Sequence, residues 1–287
     1  MFAIVLDHGT ARVIAPARPK ADGSGERAPA HARREDTAPA PAYGHRVRHL
    51  SLMPPPTRAP GGPGCELVSD GLLAESVSAW TSLAFVVAGV RVLLRARRGT
   101  ARGSAGQGPG GDVRRVLGYA ALVAAVGMGS VVQHGPDPAW SDVAHDLPLL
   151  TTLAFIGADA AADLTGRPRA WRWWALPSAA LLPLIVLAPR PGDVAQVGVA
   201  AFAVVLTLLR AVARPGLRRR IGAALALLAL GGMIGTLSRA GWPWCDPTSL
   251  LQGHAVWHVL AAAALVVLAP TVGARARSVD YGAGRRR

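Results

Sequence analysis

The chain has 287 residues, of which 51% are hydrophobic and only 17% charged, and 31 basic residues against 17 acidic ones give a formal net charge of +14. Such a composition excludes a chain disordered throughout, a disulfide scaffold and an ordinary soluble enzyme. The positive charge does not point to nucleic acid, which needs a basic face on a folded domain, because these arginines cluster in the first 60 residues and between long apolar stretches.

Residues 1–64 are rich in Ala, Pro, Arg and Gly with neither a helical nor an alternating period, and the expectation there is a disordered tail. Its apolar start, Met1 to Leu6, is ended by Asp7 and His8, short of the roughly 7 to 15 residues of a signal-peptide core. Nothing before Met53 resembles a folded unit, so a start at Met53 is an expectation that N-terminal sequencing checks.

From residue 76 the pattern changes. Apolar runs over about 76–96, 114–134, 141–163, 171–189, 193–213, 218–238 and 250–270 alternate with short polar breaks, each near the roughly 20 residues that a bilayer-spanning helix needs. The expected fold is all-α: a polytopic membrane protein with a seven-transmembrane-helix bundle over 65–272 and a basic tail over 273–287. Short breaks make successive helices antiparallel and leave no room for a second globular domain.

Arginines occupy alternate breaks. Arg95, Arg97, Arg98, Arg102, Arg114 and Arg115 follow the first run, Arg167, Arg169 and Arg172 the third, and Arg214, Arg218, Arg219 and Arg220 the fifth, while the break after the second run has none. By the positive-inside rule the C-terminus is cytoplasmic and the N-terminus lies outside, as in a plasma-membrane protein. Thirty arginines against one lysine, with abundant alanine, point to a GC-rich bacterial gene. Trp171, Trp173 and Trp174 at one boundary and Trp140, Trp242 and Trp244 at the other are expected as interfacial belts. Gly231 and Gly235, four apart, suit close helix packing.

Ionisable groups inside spans are costly, so each is a functional candidate. His134 ends the second run, His145 begins the third, and His254 and His258 begin the seventh; in an up-and-down chain these ends share one side. His254 and His258 stand at i and i+4 on one helix face, which lets both imidazoles reach one metal ion. Ser130 lies one turn before His134, and Asp146 follows His145. Three histidines with a water in the fourth position make a catalytic zinc site, where the metal lowers that water's pKa to about 7. A carboxylate such as Asp146 can take the proton, and a hydroxyl such as Ser130 can bond an oxyanion. A retinal protein needs a lysine in the spans, and Lys20 is the only one in the chain.

Three segments carry a family resemblance. Cys65-Glu66 with Glu75 and Ser82-Leu-Ala-Phe, Gly129-Ser130-x-x-x-His134 with Asp146-Leu-Pro, and Leu251-Gln-Gly-His254-Ala-Val-Trp-His258 resemble the alkaline ceramidase family. That family belongs to a superfamily of seven-helix membrane hydrolases with the progestin and adipoQ receptors and haemolysin-III-like proteins. The resemblance covers about residues 65–270 and implies that His134, His254 and His258 bind zinc, with Ser130 and Asp146 completing the site. It implies hydrolysis of the amide of ceramide or a related N-acyl lipid taken from the bilayer. Two departures stand out. A gapless comparison puts His145 in the Asp position, so Asp146 needs a one-residue insertion, and Asp142 is the alternative one turn earlier. The family's calcium site retains Glu66 and Glu75 here, but Ser78 and Ser82 replace Asn, a poor set for an ion taking six to eight oxygens.

Cys65 and Cys245 both fall on the side expected to be outside, where they either pair across the metal-site mouth or stand as two separate thiols; pairing is the expectation. Asp159 and Asp163, about 20 Å along the third helix from Asp146, are expected to cap the helix end near Arg167 and Arg169. A second functional class stays open: a receptor or transporter whose metal is structural or carried, with His145 as a closing fourth ligand.

Overall fold

Apolar runs uninterrupted by charge become helices because only a helix satisfies its own backbone in hydrocarbon. The computed structural model describes residues 64–101 and 110–274, so the tails expected before residue 64 and after residue 274 lie outside the described residues. The helices are α1 (Ser76–Ala101), α2 (Gly110–His134), α3 (Ser141–Thr165), α4 (Arg172–Leu187), α5 (Pro189–Ala213), α6 (Pro215–Leu237) and α7 (Gly253–Leu268), followed by a 3₁₀ turn at Ala269–Thr271. No strand occurs among the described residues.

Six of these helices are long and apolar enough to cross a membrane, which makes the chain an integral-membrane helical bundle. The exception is α4. Its 16 residues reach about 24 Å, short of a hydrocarbon core of about 30 Å. Pro177 and Pro183 interrupt it, and Pro189 opens α5 directly after Ala188. The run expected over 171–189 is thus trimmed at both ends.

Packing closes α1, α2, α3, α5, α6 and α7 into a ring, with α4 lying against α3 and α5 on its flank. Phe85 and Val92 of α1, Tyr119 and Val123 of α2, Phe155 of α3 and Ala261 of α7 meet in the core. The Tyr119 hydroxyl donates to the Leu265 carbonyl at 2.9 Å, which ties α2 to α7 and spares a buried phenol an unpaired proton. Gly231 and Gly235 do serve packing, since they leave room for Trp257 of α7. Trp171 and Trp173 are exposed, as an interfacial belt requires, but Trp174 turns inward and packs edge-on against Phe155 at 5.6 Å.

The arginine-rich end is held by a buried ionic cluster. Asp159 and Asp163, one turn apart on α3, meet Arg115 from α2, Arg169 from the α3–α4 loop, Arg210 from α5 and Arg214 from the junction of α5 and α6. Arg210 bridges the two carboxylates, at 3.0 Å from Asp159 and 2.9 Å from Asp163, and donates to the Ala274 carbonyl at 3.0 Å. The expectation of a local helix cap holds only for Arg169. Arg167 is not in the cluster, and the other three arginines come from α2, from α5 and from the junction that follows α5, because one guanidinium cannot offset two carboxylates at low dielectric.

Candidate metal centre

Two close approaches pair helix ends around the site, α2 with α3 and α7 with α6. A Cβ at Gly129 would stand 1.9 Å from the Ala144 carbonyl oxygen, so only glycine lets α2 and α3 touch at the level of Ser130. A Cβ at Gly253 would stand 2.2 Å from the Ser238 side chain, so glycine lets the start of α7 settle on α6 and sets the position of His254.

His134, His254 and His258 converge there. Each offers a ring nitrogen, and the three nitrogens lie within 4.8 Å of one another. His134 and His258 are buried, and His254 is half-buried. The His134 Nδ1–H donates to Glu75 at 2.6 Å, which leaves its Nε2 unprotonated. That Nε2 stands 3.2 Å from the Nε2 of His254, close to the roughly 3.3 Å between two nitrogens bound at about 2.0–2.1 Å in a tetrahedral zinc site. The His258 Nδ1 faces the Thr81 hydroxyl at 3.2 Å and the Ser82 hydroxyl at 3.3 Å. Both hydroxyls give their protons to backbone carbonyls, Thr81 to Val77 and Ser82 to Ser78, so they accept from Nδ1–H and leave Nε2 of His258 unprotonated as well. The Nε2 atoms of His134 and His258 are thus free to bind a metal cation, and the His254 Nε2 stands beside that of His134 in the same space.

Ser130 is fully buried beside them. Its hydroxyl lies 2.7 Å from that of Ser82 and donates to it, because the Ser82 proton is already committed to Ser78. Asp146 stands outside the three-histidine cluster, with its carboxylate 2.8 Å from His145 Nδ1. Asp142, the alternative, is exposed and accepts from Gln133 at 3.1 Å. No fourth His, Cys, Asp or Glu joins the cluster among the described residues.

Glu66 and Glu75 serve separate partners. Glu66 caps α1, accepting from the Val77 amide at 2.6 Å, the Ser78 amide at 2.9 Å and the Ser78 hydroxyl at 2.8 Å. This satisfies helix-start donors and sets negative charge against the positive end of the helix dipole. With Glu75 turned to His134, no third acidic residue gathers with these two among the described residues. The orienting role of Glu75 went unread in the sequence. The signal for it, a carboxylate at the same helix-end depth as His134, was present.

The segment before α1 lies over the cluster. The Ala74 amide donates to the Gly135 carbonyl at 2.9 Å and the Glu75 amide to the His134 carbonyl at 2.8 Å, while Gly64 approaches Glu75 and His254. Cys65 and Cys245 are joined by a disulfide, with Cα atoms 5.4 Å apart, and it ties this segment to the α6–α7 loop. That loop is organised by the buried Gln252 side chain, which donates to the carbonyls of Ser249 at 2.7 Å and Asp246 at 3.0 Å. The Thr248 hydroxyl and amide hold the Asp246 carboxyl below its usual range.

Glu75→Gln, which keeps the shape but loses the charge that polarises His134, is expected to weaken metal affinity by about 10- to 100-fold in a chelator competition, and unchanged affinity would count against the role. A Cys65→Ala, Cys245→Ala double variant is expected to lose about 2–4 kcal/mol of stability to unfolding and the mobility shift that wild type shows on reduction.

Compared with known proteins, the chain matches no family model and no curated sequence.

Proposed function

We propose that the chain is a zinc-dependent integral-membrane hydrolase that cleaves the amide bond of ceramide or a related N-acyl lipid, as its resemblance to the alkaline ceramidases implies. In this reading α4 crosses the membrane as a seventh, thinner span, and the arginine-rich end faces the cytoplasm. The observation that carries the proposal is the cluster of His134, His254 and His258 within 4.8 Å, with no fourth protein ligand among the described residues. A catalytic site keeps such a position open, whereas a structural site closes it, and this favours the enzyme over a receptor or transporter with a structural metal.

Zinc held there would polarise the amide carbonyl and activate a water. Glu75 holds the His134 imidazole in one tautomer and orientation, and Thr81 with Ser82 does the same for His258. Ser130 would turn its hydroxyl from Ser82 toward the developing oxyanion. Asp146, steadied by His145, would take a proton from the water and return it to the leaving amine. Acyl chains would enter between helices from the bilayer.

The test pairs metal analysis with turnover. Detergent-purified protein is expected to carry about one zinc per chain, as three-histidine sites do, and to release fatty acid from N-acyl sphingoid lipids until a chelator removes the metal. Metal-loaded protein inert toward every acyl-amide and acyl-ester lipid would sink the hydrolase reading. Protein that takes up no transition metal would sink the site itself.

A further inference from the structure

At the end of the bundle opposite the histidines, a groove of about 300 Å³ runs between α3, α4 and α5. Its floor is a stripe of small side chains on α3, Ala154, Ala158 and Ala161, at the i, i+4, i+7 spacing of one helix face. Phe202 of α5 forms one wall, and Pro177 and Trp173 of the short α4 form the other. The space exists because alanines face a proline-broken helix that cannot lie flush along its neighbours. Ala158 is about 18 Å along α3 from Asp146, so the groove is not an extension of the metal centre.

The mouth of the groove is cationic. Arg167 lines it and is exposed. Arg172, also exposed, holds its guanidinium 5.7 Å from the centre of the Trp173 ring. Neither has a carboxylate partner among the described residues, because Asp159 and Asp163 are both taken by the buried cluster. An apolar slot open to the bilayer, topped by two unneutralised arginines and an interfacial tryptophan, complements a ligand with a hydrocarbon chain and an anionic head. Basic sites between transmembrane helices recognise anionic lipid headgroups in this way.

We propose that this groove binds an anionic phospholipid, with one acyl chain along the alanine stripe and the phosphodiester on Arg167 and Arg172. The site is independent of the metal centre and of the reaction assigned to it.

The experiment is native mass spectrometry of the full chain in detergent, exposed to equal amounts of phosphatidylglycerol and phosphatidylcholine of identical acyl chains. Each arginine near the headgroup is expected to contribute about fivefold preference for the anionic lipid, hence about 25-fold for the pair. An Arg167→Ala, Arg172→Ala variant, altered only at exposed positions, is expected to hold the two lipids equally. Ala158→Phe, which fills the groove, is expected to lose the retained lipid of either kind. Equal retention of both lipids by wild type, unchanged preference in the double arginine variant, or displacement of phosphatidylglycerol by a neutral N-acyl lipid would overturn the proposal. Should Ala158→Phe fail to fold, the arginine variant alone decides.

Discussion

Replacing His258 with alanine is expected to leave a folded protein that retains no metal and has no hydrolytic activity above background. Two ring nitrogens remain, and a pair of imidazoles holds a divalent ion far more weakly than three convergent ones. The loss should exceed the roughly 10- to 100-fold expected from removing an orienting partner alone. The fold should survive because the groups around His258 do not depend on it. Thr81 and Ser82 already donate to the Val77 and Ser78 carbonyls and lose only an incoming bond, so no buried donor is stranded. Metal content, fatty-acid release and thermal unfolding of the same preparation check the three parts. Full metal occupancy in a folded His258→Ala protein would remove the residue from the site.

Arg210→Ala is expected to destabilise the bundle by about 3–5 kcal/mol, the cost of leaving buried charge without its partner. The Arg210 side chain is 4% exposed, and those of Asp159 and Asp163 are 2% and 4% exposed. Arg210 binds both carboxylates and the backbone after α7, so its removal opens three contacts at once. Arg210→Lys should rescue little, since an ammonium cannot span two carboxylates as a planar fork does. Arg214→Ala is the contrast: its side chain is 32% exposed and 3.3 Å from Asp163, so the expected cost is about 1 kcal/mol or less. Unfolding of the variants in detergent measures the difference, and equal costs for Arg210 and Arg214 would mean that burial does not govern this cluster.

The order of the helices and six of the seven expected spans were legible because runs of apolar residues near bilayer length have few alternatives in a chain with so little charge. So was the shared depth of His134, His254 and His258, which needs only antiparallel connectivity and the i, i+4 spacing on α7. What each polar side chain bonds to was not legible. Arg210 lies inside an apolar run whose pattern names no partner for it, yet it joins α5 to two aspartates on α3. Asp159 and Asp163 read as a local cap, and Trp174 read as a belt residue although it packs inward. Spacing along one helix says which residues share a face but not which neighbour that face meets, and these partners come from helices far apart in sequence.

Hydrophobic length and helical period are local properties, so an integral-membrane helical chain with three histidines at one level is written in the order of the residues alone. It takes the packing of the helices to place α4 on the flank beside a groove, to turn Glu75 to His134 and Asp146 to His145, and to give the Ser130 proton to Ser82. Those choices depend on the rotation of each helix about its axis. Packing at Gly129 and Gly253 sets that rotation where backbones approach closely, and it has no signature in the pattern of any single helix.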